Sequence, residues 1–290
     1  MRIADFEYHT PDTLSEACAL LARYARKACV LAGGTDLLVD LKSEMVSYEH
    51  IVSLKKVSEL RKISFDHRNG LSIGALATHN DLAADRIILR HYPELSEAAL
   101  TLASPQVRNT GTVGGNICSA VPSADMPPLL IAMNASVRLV GPRGGRIVLL
   151  NDFFTGPRKT VIRNGEILTH ILVPPKPAGA GACYLKFALR DATALAVVGV
   201  AAAVLLGKGT CAGARIVLGA VSPTPLVARK ASAGLIGRKI DDAAADEAGR
   251  TARNECTPIS DVRGSAEYRR SLVEILTRRA VLKAAERARS

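Results

Sequence analysis

The chain has 290 residues, of which 48% are hydrophobic and 22% charged, and a formal net charge of +11. At this length a single hydrophobic core rarely keeps growing, so we expect two domains. The composition is that of an ordered globular protein and excludes disordered and collagen-like chains. Five Phe, six Tyr and no Trp are present, which argues against binding by aromatic stacking, as in single-strand nucleic-acid platforms.

The excess basic residues are spread along the chain in pairs such as Lys55-Lys56 and Arg278-Arg279, and no run of five basic residues occurs. This distribution is typical of a solvated basic surface, with docking to an acidic protein as the alternative, and it disfavours nucleic-acid binding. The N-terminal residues lack the apolar core of a signal peptide, which predicts a cytoplasmic protein with reduced thiols. The longest apolar run, 192–206, is shorter than the ~20 residues of a membrane-spanning helix, and we interpret it as a buried strand.

The six cysteines, at positions 18, 29, 118, 183, 211 and 256, form no C-x-x-C pair. Their spacing predicts no iron–sulfur cluster and no structural zinc within this chain. Histidines such as His79 and His170 share no ligand spacing, and no Ser-His-Asp arrangement emerges, so we assign neither metal ligands nor catalytic residues. Asp36, Asp40 and Glu44 recur every four residues, a pattern typical of a solvated helix face.

The first half of the chain alternates strand and helix patterns. Strand patterns occur at 6–8, 29–31, 50–54 and 71–75. Apolar residues recur every three to four positions, as in a helix, at 14–24, 80–88 and 93–102. A helical turn follows residue 37, and a further helix is predicted to begin near Asp125.

The second half begins with a predicted β-hairpin, in which a glycine-rich turn at 141–145 joins strand patterns at 136–140 and 147–150. The proline- and glycine-rich stretch 173–181 predicts a domain junction, dividing the chain into 1–176 and 177–290. Strand patterns in the second domain lie at 184–189, 195–206 and 214–221. Helical patterns follow at 226–236, 243–254 and 267–287, and no internal repeat is found.

Two glycine-rich segments combine small residues with short polar side chains. The first, 31–36, follows a strand pattern and contains Gly33, Gly34 and Thr35. Adjacent glycines leave no Cβ in the way, so several backbone N–H groups can converge on an anion, with the Thr35 hydroxyl as a further donor. An ordinary strand-to-helix turn is the alternative interpretation of this segment alone.

The second glycine-rich segment, 103–116, contains another glycine pair flanked by Thr112 and Asn116. Two such loops suggest a ligand with two phosphates, as in a dinucleotide. Neither loop is a Walker motif, and neither matches the G-x-G-x-x-G turn of a Rossmann unit. Phosphoryl transfer and Rossmann-type nicotinamide binding are therefore disfavoured.

Together, Ala32-Gly-Gly-Thr-Asp36 and Thr112-Val-Gly-Gly-Asn116 resemble the FAD-binding medium subunit of the molybdenum hydroxylases, the family of xanthine dehydrogenase and carbon monoxide dehydrogenase. Further stretches that resemble the family are Arg108-Asn109, Ser123-Ala-Asp125, 195–201, 222–229 and 265–269. The resemblance covers essentially the whole chain. The order of the two loops makes it far more specific than either loop alone.

This resemblance implies an α+β fold in two parts. The first, 1–176, would be a bipartite FAD-binding domain of the PCMH or vanillyl-alcohol-oxidase type, with a subdomain boundary near residue 55. The second, 177–290, would be an α+β C-terminal domain of the CO dehydrogenase flavoprotein type, built from a three-stranded antiparallel sheet with helices. FAD would lie between the two subdomains of the first part.

The resemblance also implies which residues contact FAD. Pyrophosphate contacts, mainly through backbone N–H groups and the Thr hydroxyls, are implied for Leu31, Ala32, Gly33, Gly34, Thr35, Asp36, Leu37, Thr112, Val113, Gly114, Gly115 and Asn116. Ala103 and Ser123 are implied to lie at the same site, and Asp125 to accept from the ribose hydroxyls or the adenine amino group. Leu168 and Lys186 match positions near the flavin ring, although Lys186 is equally interpreted as a solvated lysine at a strand edge. On this basis Gly114→Val is expected to give a folded subunit without FAD.

Two positions and one missing loop bear on the branch of the family and on redox chemistry. Ala194 stands where the xanthine dehydrogenase branch often has Asp, so the electron acceptor stays open. The cluster-binding cysteine loop of the hydroxybenzoyl-CoA reductase branch has no counterpart. Cys118 is interpreted as a small buried residue behind the flavin.

The function implied is that of an FAD-binding electron-transfer subunit of a heteromeric molybdenum hydroxylase. A large partner would hold the molybdopterin cofactor and a small partner two [2Fe–2S] clusters, as a dimer of heterotrimers. Electrons would pass from the clusters to a soluble acceptor, NAD⁺ or a quinone. The alternatives are a free-standing flavin-dependent oxidoreductase of the same fold and a docking subunit that has lost its flavin. The organic substrate is not implied.

Overall fold

The computed structural model describes residues 3–190 and 195–289. Ala194, where the sequence departs from the xanthine dehydrogenase branch, and the start of the apolar run 192–206 lie outside the described residues. Within the described part of the chain, no helix is both long and apolar enough to cross a membrane.

The N-terminal region is a small parallel sheet with two helices. Its strands are β1 (Glu7–His9), β2 (Ala28–Leu31) and β3 (His50–Ser53), in the order β1-β3-β2. Its helices are α1 (Leu14–Tyr24) and α2 (Leu37–Lys42). Helix α1 begins after Thr13, whose side chain accepts a hydrogen bond from the Glu16 amide, because a hydroxyl oxygen can satisfy an amide that the first helical turn leaves unpaired. The face containing Ala17 and Leu21 is buried.

The middle region is a five-stranded antiparallel sheet with six short helices. The sheet order is β4-β5-β10-β6-β7, and β8 and β9 form a separate pair. The strands are β4 (Ile63–Asp66), β5 (Gly70–Gly74), β6 (Ser136–Gly141), β7 (Gly144–Leu149), β8 (Phe154–Gly156), β9 (Lys159–Thr160) and β10 (Ile167–Val173). The helices are α3 (His79–Ala84), α4 (Arg86–His91), α5 (Pro93–Leu100), α6 (Pro105–Thr110), α7 (Val113–Cys118) and α8 (Met126–Ala132).

Two details of this region differ from the predicted elements. The helix predicted at 80–88 is broken at Asp85, which has extended backbone and whose carboxylate accepts from the amides of Ile87 and Ile88 at 2.8 and 3.1 Å. A carboxylate in that position begins a new helix and does not continue the old one. The predicted hairpin is present as β6 and β7, with a tighter turn in which Gly141 pairs with Gly144.

The C-terminal region is a four-stranded antiparallel sheet, not a three-stranded one as predicted. Its strands are β11 (Ala180–Phe187), β12 (Val198–Gly207), β13 (Thr210–Gly219) and β14 (Leu226–Val227). Strand β14 lies where a helix is predicted to start. The prolines at 223 and 225 favour extended backbone, so α9 (Arg229–Ala233) begins only after the strand. Helices α10 (Asp242–Glu255) and α11 (Ala266–Arg289) follow.

Both faces of the C-terminal sheet are buried. Ala201 and Val217 belong to the core of the middle region, whereas Val200, Ala202 and Leu218 pack with residues of α10 and α11 in a second core. Because successive side chains of a strand point to opposite faces, a strand covered on both sides is apolar throughout. Burial of both faces explains the long apolar run in the sequence of β12. The packing of one face on the middle region fixes the C-terminal sheet against that region.

Candidate functional site

A cavity of about 480 Å³ opens where the loop after β2 meets the start of α7. This volume lies in the range of small-molecule and cofactor sites. Fourteen of the predicted site residues line it: Ala32, Gly33, Gly34, Thr35, Asp36, Leu37, Ala103, Thr112, Gly114, Gly115, Asn116, Ser123, Asp125 and Leu168. Three predicted residues, Leu31, Val113 and Lys186, are not in its wall.

The first glycine loop presents backbone donors to the cavity. In the described structure, the amides of Gly33, Gly34, Thr35 and Asp36 donate no hydrogen bond to another protein group. Gly34 has a φ of +86°, which favours a residue without Cβ. Consecutive unpaired N–H groups in a tight turn form a concave anion-binding surface. The loop therefore has the donors that a phosphate group requires.

Gly33 brings the two glycine segments together. A Cβ at this position would overlap the carbonyl oxygen of Thr110, and it would lie 2.9 Å from the Thr110 carbonyl carbon and 3.1 Å from Gly111 Cα. Backbone atoms at such distances leave no room for any side chain. The first loop thus packs directly on the chain that leads into α7, and both segments share one wall of the cavity.

The second glycine segment is the start of α7, and its amides are already paired. Val113 N donates to Ala77 O at 2.9 Å and Gly114 N to Ala75 O at 3.0 Å. Gly115 N donates to the Thr112 hydroxyl oxygen at 3.0 Å. These amides differ from the free pyrophosphate donors that the resemblance implies. The segment contributes a wall of small residues, while the unpaired donors belong to the first loop.

The backbone of Gly114 lines the cavity, but a side chain at this position would point into the protein. A Cβ there would lie 2.6 Å from Ala75 Cβ and 2.7 Å from Ala75 O. A valine at this position would push α7 away from the end of β5, so the structure changes the expectation for Gly114→Val. The variant is expected to be destabilised, and not to remain a well-folded subunit that only lacks FAD.

Asp125 lies in the cavity wall and accepts hydrogen bonds from two residues of the C-terminal domain. Its carboxylate accepts from the Tyr184 hydroxyl at 2.8 Å and from Lys186 Nζ at 3.0 Å. Lys186 also donates to Thr101 O at 3.0 Å, and its side chain is only 8% exposed. Lys186 is therefore a buried counter-ion, and the interpretation as a solvated edge lysine is wrong.

The protonation of this buried cluster follows from its surroundings. Burial raises the pKa of Asp125, while the Lys186 ammonium and the Tyr184 hydroxyl oppose that rise by stabilising the carboxylate. Burial and the neighbouring carboxylate raise the pKa of Tyr184 well above its usual range, so the phenol stays neutral. The cluster joins the cavity floor to β11 by two charge-assisted hydrogen bonds.

Asp40 and Arg158 form a second charged contact at the cavity that sequence reasoning misses. Asp40 is only 9% exposed, and its carboxylate lies 2.5 Å from Arg158 Nη1. Both residues line the cavity. The interpretation of Asp40 as part of a solvated helix face is therefore wrong. The two residues are 118 positions apart, so no local spacing could have indicated the pair.

His79 also lines the cavity, and sequence reasoning misses it. It is 1% exposed, and its Nδ1 has no hydrogen-bond partner among the described residues. Burial, assisted by the nearby Arg108 guanidinium, lowers the pKa of His79 to about 4, so the ring is neutral at pH 7. An unpaired buried nitrogen in a cavity wall is costly without a ligand. Together with the Gly33 contact and the free amides, it fits a cavity built to hold a polar cofactor.

The low pKa of His79 predicts acid destabilisation. A histidine that folding holds in its neutral form contributes its full share to the free energy of unfolding at pH values above its ordinary pKa of 6.5. This contribution is lost as the pH falls towards about 4. Between pH 7 and pH 5 the free energy of unfolding is expected to fall by about 2 kcal/mol through this residue. Urea unfolding of the wild type and His79→Asn at both pH values measures the difference. The exposed His67 is the matched control, since His67→Asn should keep the wild-type pH dependence. An unchanged pH dependence in His79→Asn would contradict the argument.

The architecture and the cavity define a class of protein. A small parallel sheet and a larger antiparallel sheet with helices carry a cavity with free amide donors, and a further α+β domain closes against it. Such an arrangement suits a protein that holds a large anionic cofactor in an extended cleft.

The chain belongs to the family described as the FAD binding domain in molybdopterin dehydrogenase, which matches residues 4–176. Residues 183–284 match the CO dehydrogenase flavoprotein C-terminal domain. The resemblance found in the sequence, the fold class and FAD as the cofactor are thereby confirmed. The chain is an oxidoreductase component with an FAD-binding domain.

Relatives match the chain over nearly its whole length. It is 37% identical over 288 residues to the carbon monoxide dehydrogenase medium chain of Afipia carboxidovorans, covering 98% of each. It is 35% identical over 278 residues to a putative xanthine dehydrogenase FAD-binding subunit of Escherichia coli (strain K12), covering 96% of this chain and 95% of the relative. A solved structure of reconstituted CO dehydrogenase from Oligotropha carboxidovorans contains a chain that superposes with a TM-score of 0.95 at 36% identity, covering 99% of this chain and 100% of that chain.

Proposed function

We propose that this chain is the FAD-carrying medium subunit of a multi-subunit molybdenum hydroxylase. In this role it takes electrons from [2Fe–2S] clusters of a small partner and passes them to an external acceptor, NAD⁺ or a quinone. A large partner holds the molybdopterin cofactor, and the assembly is a dimer of heterotrimers. The observation that carries the proposal is the cavity between the two glycine segments with the unpaired amides of Gly33–Asp36.

The residues of the cavity have distinct proposed roles. The amides from Gly33 to Asp36 hold the pyrophosphate, and the Thr35 hydroxyl adds a donor. Ser123 and Asp125 lie towards the nucleotide end, and the Asp125 carboxylate is paired with Lys186. Leu168, which is 4% exposed, forms an apolar wall for the flavin ring. Bound FAD supplies the two-electron redox chemistry, and the protein orients the cofactor and excludes water.

The distribution of cysteines supports placing the iron–sulfur clusters in a partner. All six cysteines are free thiols, and four of them are buried. Burial raises the pKa of Cys118, beside the cavity, to about 12, so it stays an unreactive thiol. The described residues therefore offer no thiolate set for a cluster, which supports a division of labour among subunits.

The substrate of the complex is left open by this proposal. The two relatives are named for different substrates, carbon monoxide and xanthine, and this chain is similar to both of them. Similarity of this chain therefore does not identify the substrate. A subunit that only relays electrons need not touch the organic substrate.

The proposal is tested by the absorption spectrum of the purified protein and by the chains that co-purify with it. The native protein, purified without denaturation, is expected to absorb as a flavoprotein, to release FAD on denaturation, and to co-purify with one larger and one smaller chain. Yellow protein that purifies alone and oxidises a small substrate would identify a free-standing flavin oxidoreductase. Colourless, folded protein that takes up no added FAD would identify a docking subunit.

A further inference from the structure

Three side chains that could ligate a metal converge on the N-terminal sheet, outside the FAD cavity. His9 Nε2 lies 3.2 Å from His50 Nδ1. Glu7 Oε2 lies 2.9 Å from His50 Nδ1 and 3.6 Å from His9 Nε2. None of the three residues is part of the cavity wall. The three ligand atoms form a nearly equilateral triangle.

The backbone builds this triangle directly. Glu7 and His9 are two positions apart on β1 and point to the same face of the sheet. Strand β3 pairs in parallel with β1 and places His50 opposite Glu7. Tyr24, the last residue of α1, stacks on the His50 ring with centroids 3.6 Å apart and on the His9 ring at 5.4 Å. The side chains of both histidines are less than a fifth exposed, so packing holds the two rings in place.

The spacing of the triangle fits one shared cation. Ligand atoms about 2.0–2.2 Å from a tetrahedral Zn²⁺ lie about 3.3 Å from one another. The three observed separations, 2.9, 3.2 and 3.6 Å, bracket that value. Two imidazole nitrogens and one carboxylate oxygen therefore lie at the mutual spacing of ligand atoms around one ion. One metal ion at the centre of the triangle could accept electron pairs from all three atoms at once.

We propose that Glu7, His9 and His50 form a zinc site, with a water molecule as the fourth ligand. Imidazole nitrogens select Zn²⁺ and similar transition ions over Mg²⁺ and Ca²⁺, which prefer oxygen ligands. An ion held here ties β1 to β3 and so fixes the start of the chain to the sheet that carries the first glycine loop. The site is independent of the proposed electron-transfer function.

Titration of the purified full-length protein tests the site. The protein is purified with an affinity tag that contains no histidine, because a histidine tag would itself bind Zn²⁺. A chelator then removes any metal that remains bound. Calorimetry with Zn²⁺ alone is expected to give one equivalent per chain, and Co²⁺ alone is expected to give the visible absorption of a tetrahedral site. The thermal midpoint should rise on addition of Zn²⁺, since binding to the folded state stabilises it.

Variants locate the ion. His9→Ala and His50→Ala are each expected to weaken Zn²⁺ binding at least tenfold and to remove the rise in thermal midpoint. Glu7→Gln changes an exposed side chain, and it should weaken binding while keeping the stoichiometry. The matched control is His67→Ala, which removes an exposed histidine elsewhere and should bind as the wild type does. FAD content reports that each variant is folded. Absence of a binding heat and of a Co²⁺ band, or wild-type affinity in both histidine variants, would overturn the proposal and leave a hydrogen-bonded histidine pair.

Discussion

Replacing Gly33 with alanine is expected to deprive the protein of FAD. The added Cβ would overlap the Thr110 carbonyl and crowd Gly111 Cα, so the first loop must move away from the start of α7. The amides that follow Gly33 then no longer converge on one point. Hydrogen bonds to a charged group contribute about 1.5–3 kcal/mol each, so the loss of two weakens FAD binding about a hundredfold or more.

FAD per chain, from the absorption ratio of purified protein, measures the effect of Gly33→Ala. Gly145→Ala is the matched control, because a Cβ at Gly145 makes only ordinary contacts, at 3.5 Å or more, in the exposed β6–β7 hairpin. That variant should keep its full FAD content. If Gly33→Ala also retained one FAD per chain and bound it with wild-type affinity, the proposed role of the first loop would be wrong.

The cavity shows which parts of a site can be predicted from sequence. Adjacent glycines beside short polar residues are a local signal, and both segments that carry it line the cavity. The local sequence does not indicate whether an amide is free to bind a ligand. The amides of Val113 and Gly114 are taken by carbonyls of Ala77 and Ala75, and nothing in the motif indicates those partners. The buried state of His79 likewise depends on packing, not on spacing.

The fold was predictable to a similar extent. Periodicity predicted most of the strands and helices, and the proline- and glycine-rich stretch 173–181 coincides with the passage from β10 to β11. No strand is predicted from the sequence at 167–173, although β10 is the central strand of the five-stranded sheet. The signal was present in the apolar run of that segment, Ile167–Val173. Its neighbours in the sheet, β5 and β6, come from distant segments, and no periodicity specifies that pairing.

Removing the Asp125 carboxylate is expected to destabilise the whole protein. In Asp125→Ala, Lys186 keeps a buried charge without its counter-ion, and the Tyr184 hydroxyl loses its acceptor. Breaking a buried ion pair by removing one partner costs about 3–5 kcal/mol. Urea unfolding of protein freed of FAD should show this loss. The exposed pair Arg238–Glu247 provides the control, since Glu247→Ala should change stability by no more than about 1 kcal/mol.

A double variant separates the structural role of Asp125 from a role in binding the nucleotide. Asp125→Ala combined with Lys186→Met removes both charges, so most of the lost stability should return, because a buried pair replaced by apolar groups costs little. FAD affinity should not return with it if Asp125 also contacts the nucleotide. Recovery of both would make Asp125 only a positioning residue between the cavity and β11. Wild-type stability in Asp125→Ala would show instead that the ion pair does not hold the two domains together.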